Sequence, residues 1–128
     1  MVIYLDTSAF VKTVWEEVES AALARKIGDA ELVSSALLSV EARRSTLRVG
    51  ARFMPRTDLL LEEVTLVELT PSLLESAGRL PDPTLRSLDA VHVATALLVR
   101  NDIDLVISYD RRMPAAAAAH GLPTAAPA

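Results

Sequence analysis

Short runs of apolar, β-forming residues alternate along the chain with longer amphipathic segments. Strands are predicted at residues 2–5, 32–34, 65–69 and 105–108. Segments of helical length lie between them, at residues 16–27, 36–52, 71–80 and 85–100. An alternation of strand and helix favours a parallel sheet with helices on both faces. The pattern therefore predicts an α/β fold in three layers, α/β/α, around a central parallel sheet.

The chain of 128 residues has the usual length of one domain. We therefore expect residues 1–128 to form a single domain. The tail from about residue 122, "LPTAAPA", is low in sequence complexity. Residues 122–125 are expected to form a last, short edge strand or to fray.

The composition narrows the class of protein. No apolar run approaches the roughly 18 to 20 residues that a membrane span needs, so we expect no membrane partner. The chain shows no secretory signal and no cysteine, so we expect a cytoplasmic protein. The 13 basic residues stand against 17 acidic ones, which gives a formal charge of −4. Because this charge repels phosphates, a nucleic-acid partner would need a local site.

Two predicted strands lead directly into an aspartate. Asp6 follows the run at residues 2–5, and Asp110 follows Leu105-Val106-Ile107 after Ser108 and Tyr109. Binding crevices of open α/β sheets lie beyond the carboxyl ends of the strands, so neighbouring strands would direct both carboxylates into one region. Two structural alternatives remain open, since Asp6 could cap the next helix and Asp110 could be a turn residue.

Two further acids lie in apolar helical segments. Glu41 follows Leu37, Leu38 and Val40 in "SALLSVEARR", and Asp89 is surrounded by apolar residues in "LRSLDAVHVATALL". A structural role is again an alternative for each. Glu41 could pair with an arginine three residues on, and Asp89 could interact with the helix dipole in a first turn.

The four acids and their neighbours together match a known pattern. The stretches "VIYLDTSAFVK", "SALLSVEARR", "LRSLDAVHVATAL" and "VISYDRRM" resemble the four acidic motifs of the PIN-domain ribonucleases, in particular the VapC-type toxins of bacterial toxin–antitoxin pairs. Order, spacing and flanking residues agree over nearly the whole chain. One departure is Ser108, which stands two positions before the last Asp, where the family more usually has Thr.

The resemblance implies a PIN-like fold and a metal-dependent endoribonuclease, the toxin of a type II toxin–antitoxin pair. Such an enzyme hydrolyses RNA phosphodiesters with a metal-activated water and leaves a 5′-phosphate and a 3′-hydroxyl. Carried over by motif, the catalytic acids are Asp6, Glu41, Asp89 and Asp110, and Asp6 and Asp89 are the direct metal ligands. The resemblance also implies Mg²⁺ or Mn²⁺ as cofactor, a homodimer, and a small cognate antitoxin as partner.

Elementary electrostatics agrees with a metal at such a site. Two carboxylates about 4 Å apart repel by roughly 4 kcal/mol at an effective dielectric near 20, so converging acids must take up protons or hold a cation. Mg²⁺ prefers oxygen ligands and keeps several waters. With no cysteine and only two isolated histidines, His92 and His120, a zinc site is not expected. The pattern leaves open whether one ion or two take part.

Several other side chains are candidates for supporting roles. The hydroxyls of Thr7, Ser8 and Ser108 are expected to orient carboxylates, with plain helix capping as the alternative for Thr7 and Ser8. Arginines recur every four residues after Glu41, at Arg44, Arg48 and Arg52. Provided that Gly50 does not break the helix, they would form a basic stripe beside Glu41 that guides RNA to the site. A solvated face or an antitoxin contact is the alternative. Arg111 and Arg112 form a second candidate pair.

Three other functions are compatible with parts of the pattern. A PIN nuclease of RNA maturation, or a catalytically silent PIN interaction module, would share the motifs. A phosphatase with an aspartyl nucleophile would also place an Asp after the first strand, but its usual second Asp is replaced here by Ser8. His92 is interpreted as a packed or surface residue rather than a catalytic base.

Overall fold

All five strands of the protein's computed structural model, which describes residues 1–128, run parallel in one sheet. They are β1 (Val2–Leu5), β2 (Glu31–Ser35), β3 (Val64–Val67), β4 (Leu105–Ile107) and β5 (Thr124–Ala125). The strand order is β3-β2-β1-β4-β5, so the chain reverses its direction of travel across the sheet between β1 and β4. In open α/β sheets such a switch point is where the binding crevice forms.

Seven α-helices cover the sheet, and the parallel α/β fold that the sequence pattern predicts is confirmed. They are α1 (Thr7–Val14), α2 (Ser20–Ile27), α3 (Leu38–Val49), α4 (Met54–Leu61), α5 (Pro71–Gly78), α6 (Ser87–Leu98) and α7 (Arg112–Ala119). A 3₁₀ turn, Ala51–Phe53, links α3 to α4. None of the helices is both long and apolar enough to cross a membrane.

Helices α1, α4 and α7 are not predicted by the periodicity of the sequence, each for a local reason. Helix α1 contains four β-branched residues among its eight, which weakens its helical signal. Pro55 reads as a helix stop, but here it lies in the first turn of α4, a position that proline tolerates. The alanine run 115–119 looks like low complexity, yet alanine is the best helix former and these residues complete α7.

The central strand β1 is buried on both faces. Ile3 and Leu5 pack with Leu23 of α2 on one side, whereas Tyr4 packs with Val93 of α6 on the other. The side chains of Ile3, Tyr4 and Leu5 are fully inaccessible to solvent. Because successive side chains of a strand point to opposite faces, this packing fixes the direction in which the residue after β1 points. That residue is Asp6.

Candidate active site

A cavity of about 470 Å³ opens at the carboxyl ends of β1 and β4, at the switch point of the sheet. All four predicted acids line it: Asp6, Glu41, Asp89 and Asp110. Asp6 follows β1, Glu41 lies in the first turn of α3, Asp89 lies in the first turn of α6, and Asp110 precedes α7. Residues that are distant in sequence therefore meet because parallel strands end at the same edge of the sheet.

The Asp6 carboxylate is buried and accepts three hydrogen bonds. Oδ1 accepts from Ser8 Oγ at 2.6 Å and from the Ala9 amide at 3.1 Å, and Oδ2 accepts from Ser108 Oγ at 2.5 Å. Burial raises the pKa of Asp6, while the hydrogen bonds from Ser108 and Ser8 act in the opposite direction. The hydrogen bond from Ala9 also makes Asp6 the N-cap of α1, so Asp6 both caps this helix and lines the pocket.

The hydroxyls of Ser8 and Ser108 connect Asp6 to the turn after β4. Ser8 Oγ accepts a hydrogen bond from the Tyr109 amide at 2.9 Å, and Ser108 Oγ accepts one from the Asp110 amide at 3.1 Å. Each hydroxyl thus donates to the carboxylate and accepts from the backbone. This arrangement fixes the position of Asp110 relative to Asp6.

Glu41 is oriented by two donors on a single oxygen. Its Oε1 accepts from Thr7 Oγ1 at 2.6 Å and from His92 Nε2 at 2.7 Å, whereas Oε2 has no protein partner. Burial raises the pKa of Glu41, the hydrogen bonds from His92 and Thr7 act in the opposite direction, and the net effect is a lowered pKa. The free oxygen therefore belongs to an ionised carboxylate.

His92 is a packed residue, in agreement with one of the two interpretations from the sequence, but packing is not its only role. The ring is packed, with 3% of its surface exposed, but it also lines the cavity and pairs with Glu41. One signal was available, because His92 lies three residues after Asp89 and so shares its face of α6. Its partners, Tyr4 on β1 and Glu41 on α3, are distant in sequence, so the pattern of residues around His92 does not indicate them.

Asp89 and Asp110 have no cationic partner. Neither side chain forms a salt bridge or a hydrogen bond within the protein. Partial burial raises the pKa of Asp89, and the negative charges of Asp110 and Asp6 raise it further. The open side of the cavity therefore carries negative charge that the protein does not neutralise.

The predicted stripe of three arginines on one helix is wrong. Helix α3 ends at Val49, with Gly50 as its C-cap, and Arg52 lies in the following 3₁₀ turn over the ring of Phe53. None of the three predicted members, Arg44, Arg48 and Arg52, lines the cavity. Of the second candidate pair, Arg112 lines the cavity and Arg111 does not.

Arg86, which the sequence analysis did not single out, also lines the cavity. It directly precedes α6, and neither Arg86 nor Arg112 forms a salt bridge with any acid. Two unpaired guanidinium groups therefore lie beside the acidic pocket.

The donor set fits a hard divalent cation such as Mg²⁺ or Mn²⁺. The charged groups are carboxylate oxygens, which both ions prefer, and a cation would relieve the repulsion that raises the pKa of Asp89. No group of three or more acidic or histidine side chains is gathered to hold one ion. The arrangement suits an ion that takes one or two carboxylates and keeps several waters, as Mg²⁺ usually does.

Comparison with known proteins agrees with these features. The sequence profile of the PIN domain matches residues 3–119. Ribonuclease VapC35 of Mycobacterium tuberculosis is 39% identical to the chain over 130 residues, which cover 98% of the chain and 96% of that protein. Ribonuclease VapC46 of the same organism is 38% identical over 126 residues, covering 98% and 97%.

Two solved structures share the fold at low sequence identity. One is VapBC2 from Rickettsia felis, bound to a DNA fragment from its promoter, with a TM-score of 0.73, 9% identity and full coverage of both chains. The other is VapC20 of Mycobacterium tuberculosis, a toxin that cleaves the sarcin–ricin loop, with a TM-score of 0.71, 17% identity and coverage of 94% and 95%.

The raised pKa of Asp89 predicts a pH-dependent gain in stability on neutralisation. In EDTA, Asp89→Asn should raise the Tm at pH 7, because the folded state disfavours the charged carboxyl. The gain should vanish towards about pH 4 and below, where the carboxyl is protonated in both the folded and the unfolded states. Thermal unfolding at several pH values measures the difference. Asp102→Asn, at an exposed acid that does not line the cavity, is the matched control, and a gain for Asp89→Asn that is equal at pH 4 and pH 7 would contradict the prediction.

Proposed function

The chain belongs to the PIN-domain family as a VapC-type ribonuclease, and we propose that it is a metal-dependent endoribonuclease, the toxin of a toxin–antitoxin pair. One observation carries the proposal. Four carboxylates share the cavity at the switch point of the sheet, and Asp89 and Asp110 lack any cationic partner there. Membership of the family removes the phosphatase alternative, and the presence of all four acids argues against a silent interaction module.

Asp6 and Asp89 would hold the divalent cation, with Mg²⁺ as the first expectation and Mn²⁺ as the alternative. Such an ion would lower the pKa of a bound water and stabilise the negative charge that develops on the phosphate. Asp6 is suited to the role because hydroxyls on both of its oxygens fix its orientation. Asp89 is suited because its carboxylate is free to coordinate.

Glu41 and Asp110 would align the attacking water and accept its proton. Glu41 presents an ionised carboxylate whose Oε2 has no protein partner. Asp110 is exposed, and its backbone is tied to Ser108. The attack of a water on the phosphodiester would leave a 5′-phosphate and a 3′-hydroxyl, and no side chain is needed as a covalent nucleophile. Thr7, Ser8 and Ser108 would act only through the carboxylates that they contact.

We further propose that residues 1–128 act as one domain and assemble as a homodimer. Strand β5 lies at the end of the sheet, and α7 packs on the same apolar cluster as β1, which supports a single folding unit. Large apolar side chains remain exposed on adjoining helices, for example Leu74 and Leu98, and these support a contact between copies.

Cleavage of RNA should require the metal and the two proposed ligands. With labelled RNA, cleavage should occur in Mg²⁺ or Mn²⁺ and stop in EDTA. Asp6→Asn and Asp89→Asn should each lower the rate at least about 100-fold, because even side chains that only orient metal ligands are worth about 10- to 100-fold. Gel analysis of the products measures the rates. Asp102→Asn should cleave like the wild type, and undiminished cleavage by both site variants would rule out this assignment of the site.

Arg86 and Arg112 are proposed to bind the phosphate backbone of RNA, in place of the arginines of α3. Both flank the acids without pairing with them. In an Asp110→Asn background that binds RNA without cutting it, Arg86→Ala or Arg112→Ala should reduce the salt dependence of RNA binding by about 0.7 in the log–log slope per lost contact. Fluorescence anisotropy across a salt series measures the slope. Arg44→Ala and Arg48→Ala are the matched controls, and a reduced slope in these controls alone would contradict the proposal.

We propose that the partner is a small cognate antitoxin and that it binds in a groove between α1, α2 and α4. This groove encloses about 650 Å³, and most of its lining is apolar, including Phe10, Trp15, Ala24, Ile27 and Leu60. Charged side chains at its edge, among them Arg56 and Glu63, provide polar contacts around the apolar centre, as in typical protein interfaces.

A charge introduced into this groove should release the antitoxin and spare the enzyme. Ala24→Arg should weaken binding of the purified cognate antitoxin by about tenfold or more, because burial of an unpaired charge is unfavourable. Isothermal titration calorimetry measures the affinity, and RNA cleavage should stay at the wild-type rate. Ala118→Arg, at an exposed position of α7 that does not line this groove, is the matched control. Unchanged affinity for Ala24→Arg would place the antitoxin elsewhere.

A further inference from the structure

Three side chains form a hydrogen-bonded chain from the centre of the sheet to the acidic pocket. Tyr4 Oη lies 2.7 Å from His92 Nδ1, and His92 Nε2 lies 2.7 Å from Glu41 Oε1. Tyr4 is fully buried and His92 is 3% exposed, and their rings pack edge to face with centroids 5.9 Å apart. The chain thus joins β1, α6 and α3 through side chains alone.

The protons of this chain can be assigned from the chemistry of its members. A phenol carries its proton near neutral pH, so Tyr4 can donate it to the imidazole nitrogen that it faces. A neutral imidazole carries one N–H, and the nitrogen without it is an acceptor. If Tyr4 donates to Nδ1, the imidazole proton lies on Nε2 and is donated to Glu41. Tyr4 therefore selects the tautomer in which His92 serves Glu41.

The geometry at Glu41 shows what this donation does. Thr7 and His92 both donate to Oε1, and Oε2 is left without a protein partner in a cavity lined by Asp6 and Asp89. Two donors on one oxygen fix the rotation of the carboxylate. Without His92, Thr7 alone would hold it, and the carboxylate could turn about that single bond.

We infer that His92, held by Tyr4 with its proton on Nε2, is a positioning residue that aims Oε2 of Glu41 into the acidic pocket. The catalytic benefit of this orientation rests on the proposed function. The hydrogen-bonded chain itself is present in the protein without metal or RNA. Its test can therefore begin with a measurement that needs neither.

The tautomer of His92 is the first readout. In the metal-free wild type, at a pH where ¹⁵N NMR shows the ring of His92 to be neutral, Nε2 should be protonated and Nδ1 unprotonated. Tyr4→Phe keeps the ring and removes the hydroxyl, so the preference for this tautomer should weaken. A neutral wild-type ring with its single proton on Nδ1 would overturn the inference, since Nε2 could not then donate to Glu41.

The second readout is kinetic and uses rescue by a conservative variant. His92→Ala should lower kcat about 10- to 100-fold with little change in KM for RNA, by analogy with the loss found when a side chain that orients a metal ligand is removed. His92→Gln, whose amide can donate to Oε1, should recover most of the loss. Val93→Ala, next to His92 and fully buried, controls for damage to the core.

Equal kcat losses in His92→Gln, His92→Ala and Val93→Ala would make His92 a packing residue and overturn the inference. Absence of RNA cleavage by the wild type, together with the expected tautomer, would contradict the proposed function and leave the hydrogen-bonded chain in place. The two failures are thereby distinguished.

Discussion

Repulsion among carboxylates at one edge of the sheet is the constraint on which the organisation of the site depends. The protein relieves this repulsion differently at each acid. Hydroxyls satisfy Asp6, and an imidazole and a hydroxyl satisfy Glu41, whereas Asp89 and Asp110 receive no donor from side chains. Asp6 is the most deeply buried of the four acids and Glu41 is more buried than Asp89, so donors are supplied where an unpaired charge would cost most. The remaining negative charge faces the open side, where a cation can enter.

A rigid strand makes this division possible. Tyr4 and Asp6 are two residues apart at the end of β1, and Tyr4 reaches His92 while Asp6 reaches the cavity directly. The same strand therefore supports Asp6 through the backbone and Glu41 through a chain of hydrogen bonds. Its fully buried apolar residues hold both connections in place. The packing of the core around β1 therefore also determines the geometry of the site.

Particular residues show how far the sequence could lead. β1 was predicted with correct bounds because a strand buried on both faces reads as a continuous apolar run. The rule that parallel strands end at one edge predicts that Asp6 and Asp110 meet, whereas Glu41 and Asp89 were added by the resemblance to the PIN-domain motifs. The stripe through Arg52 failed at Gly50, where the helix ends, and α4 was missed because Pro55 has opposite meanings at the two ends of a helix.

His92 marks the limit of such reasoning. Periodicity could place it on the face of α6 that carries Asp89, but the partners that give it a role come from β1 and α3. A hydrogen bond between residues 51 or 88 positions apart leaves no pattern in either local segment. For polar residues on apolar helices, the tertiary structure therefore reveals most about roles that the sequence does not indicate.

The distribution of charge explains how an acidic protein can act on RNA. A net charge of −4 opposes the approach of phosphates, and an acidic pocket without a cation would oppose it most strongly at the site itself. Arg86 and Arg112 lie beside that pocket, yet they form no ion pairs that would neutralise the acids. Pairing would remove both the ligands for a cation and the contacts for a phosphate. The separation of the two charges therefore keeps the proposed cation ligands and the proposed phosphate contacts available. Under the proposed function, the attraction of RNA would depend on a cation held by the carboxylates.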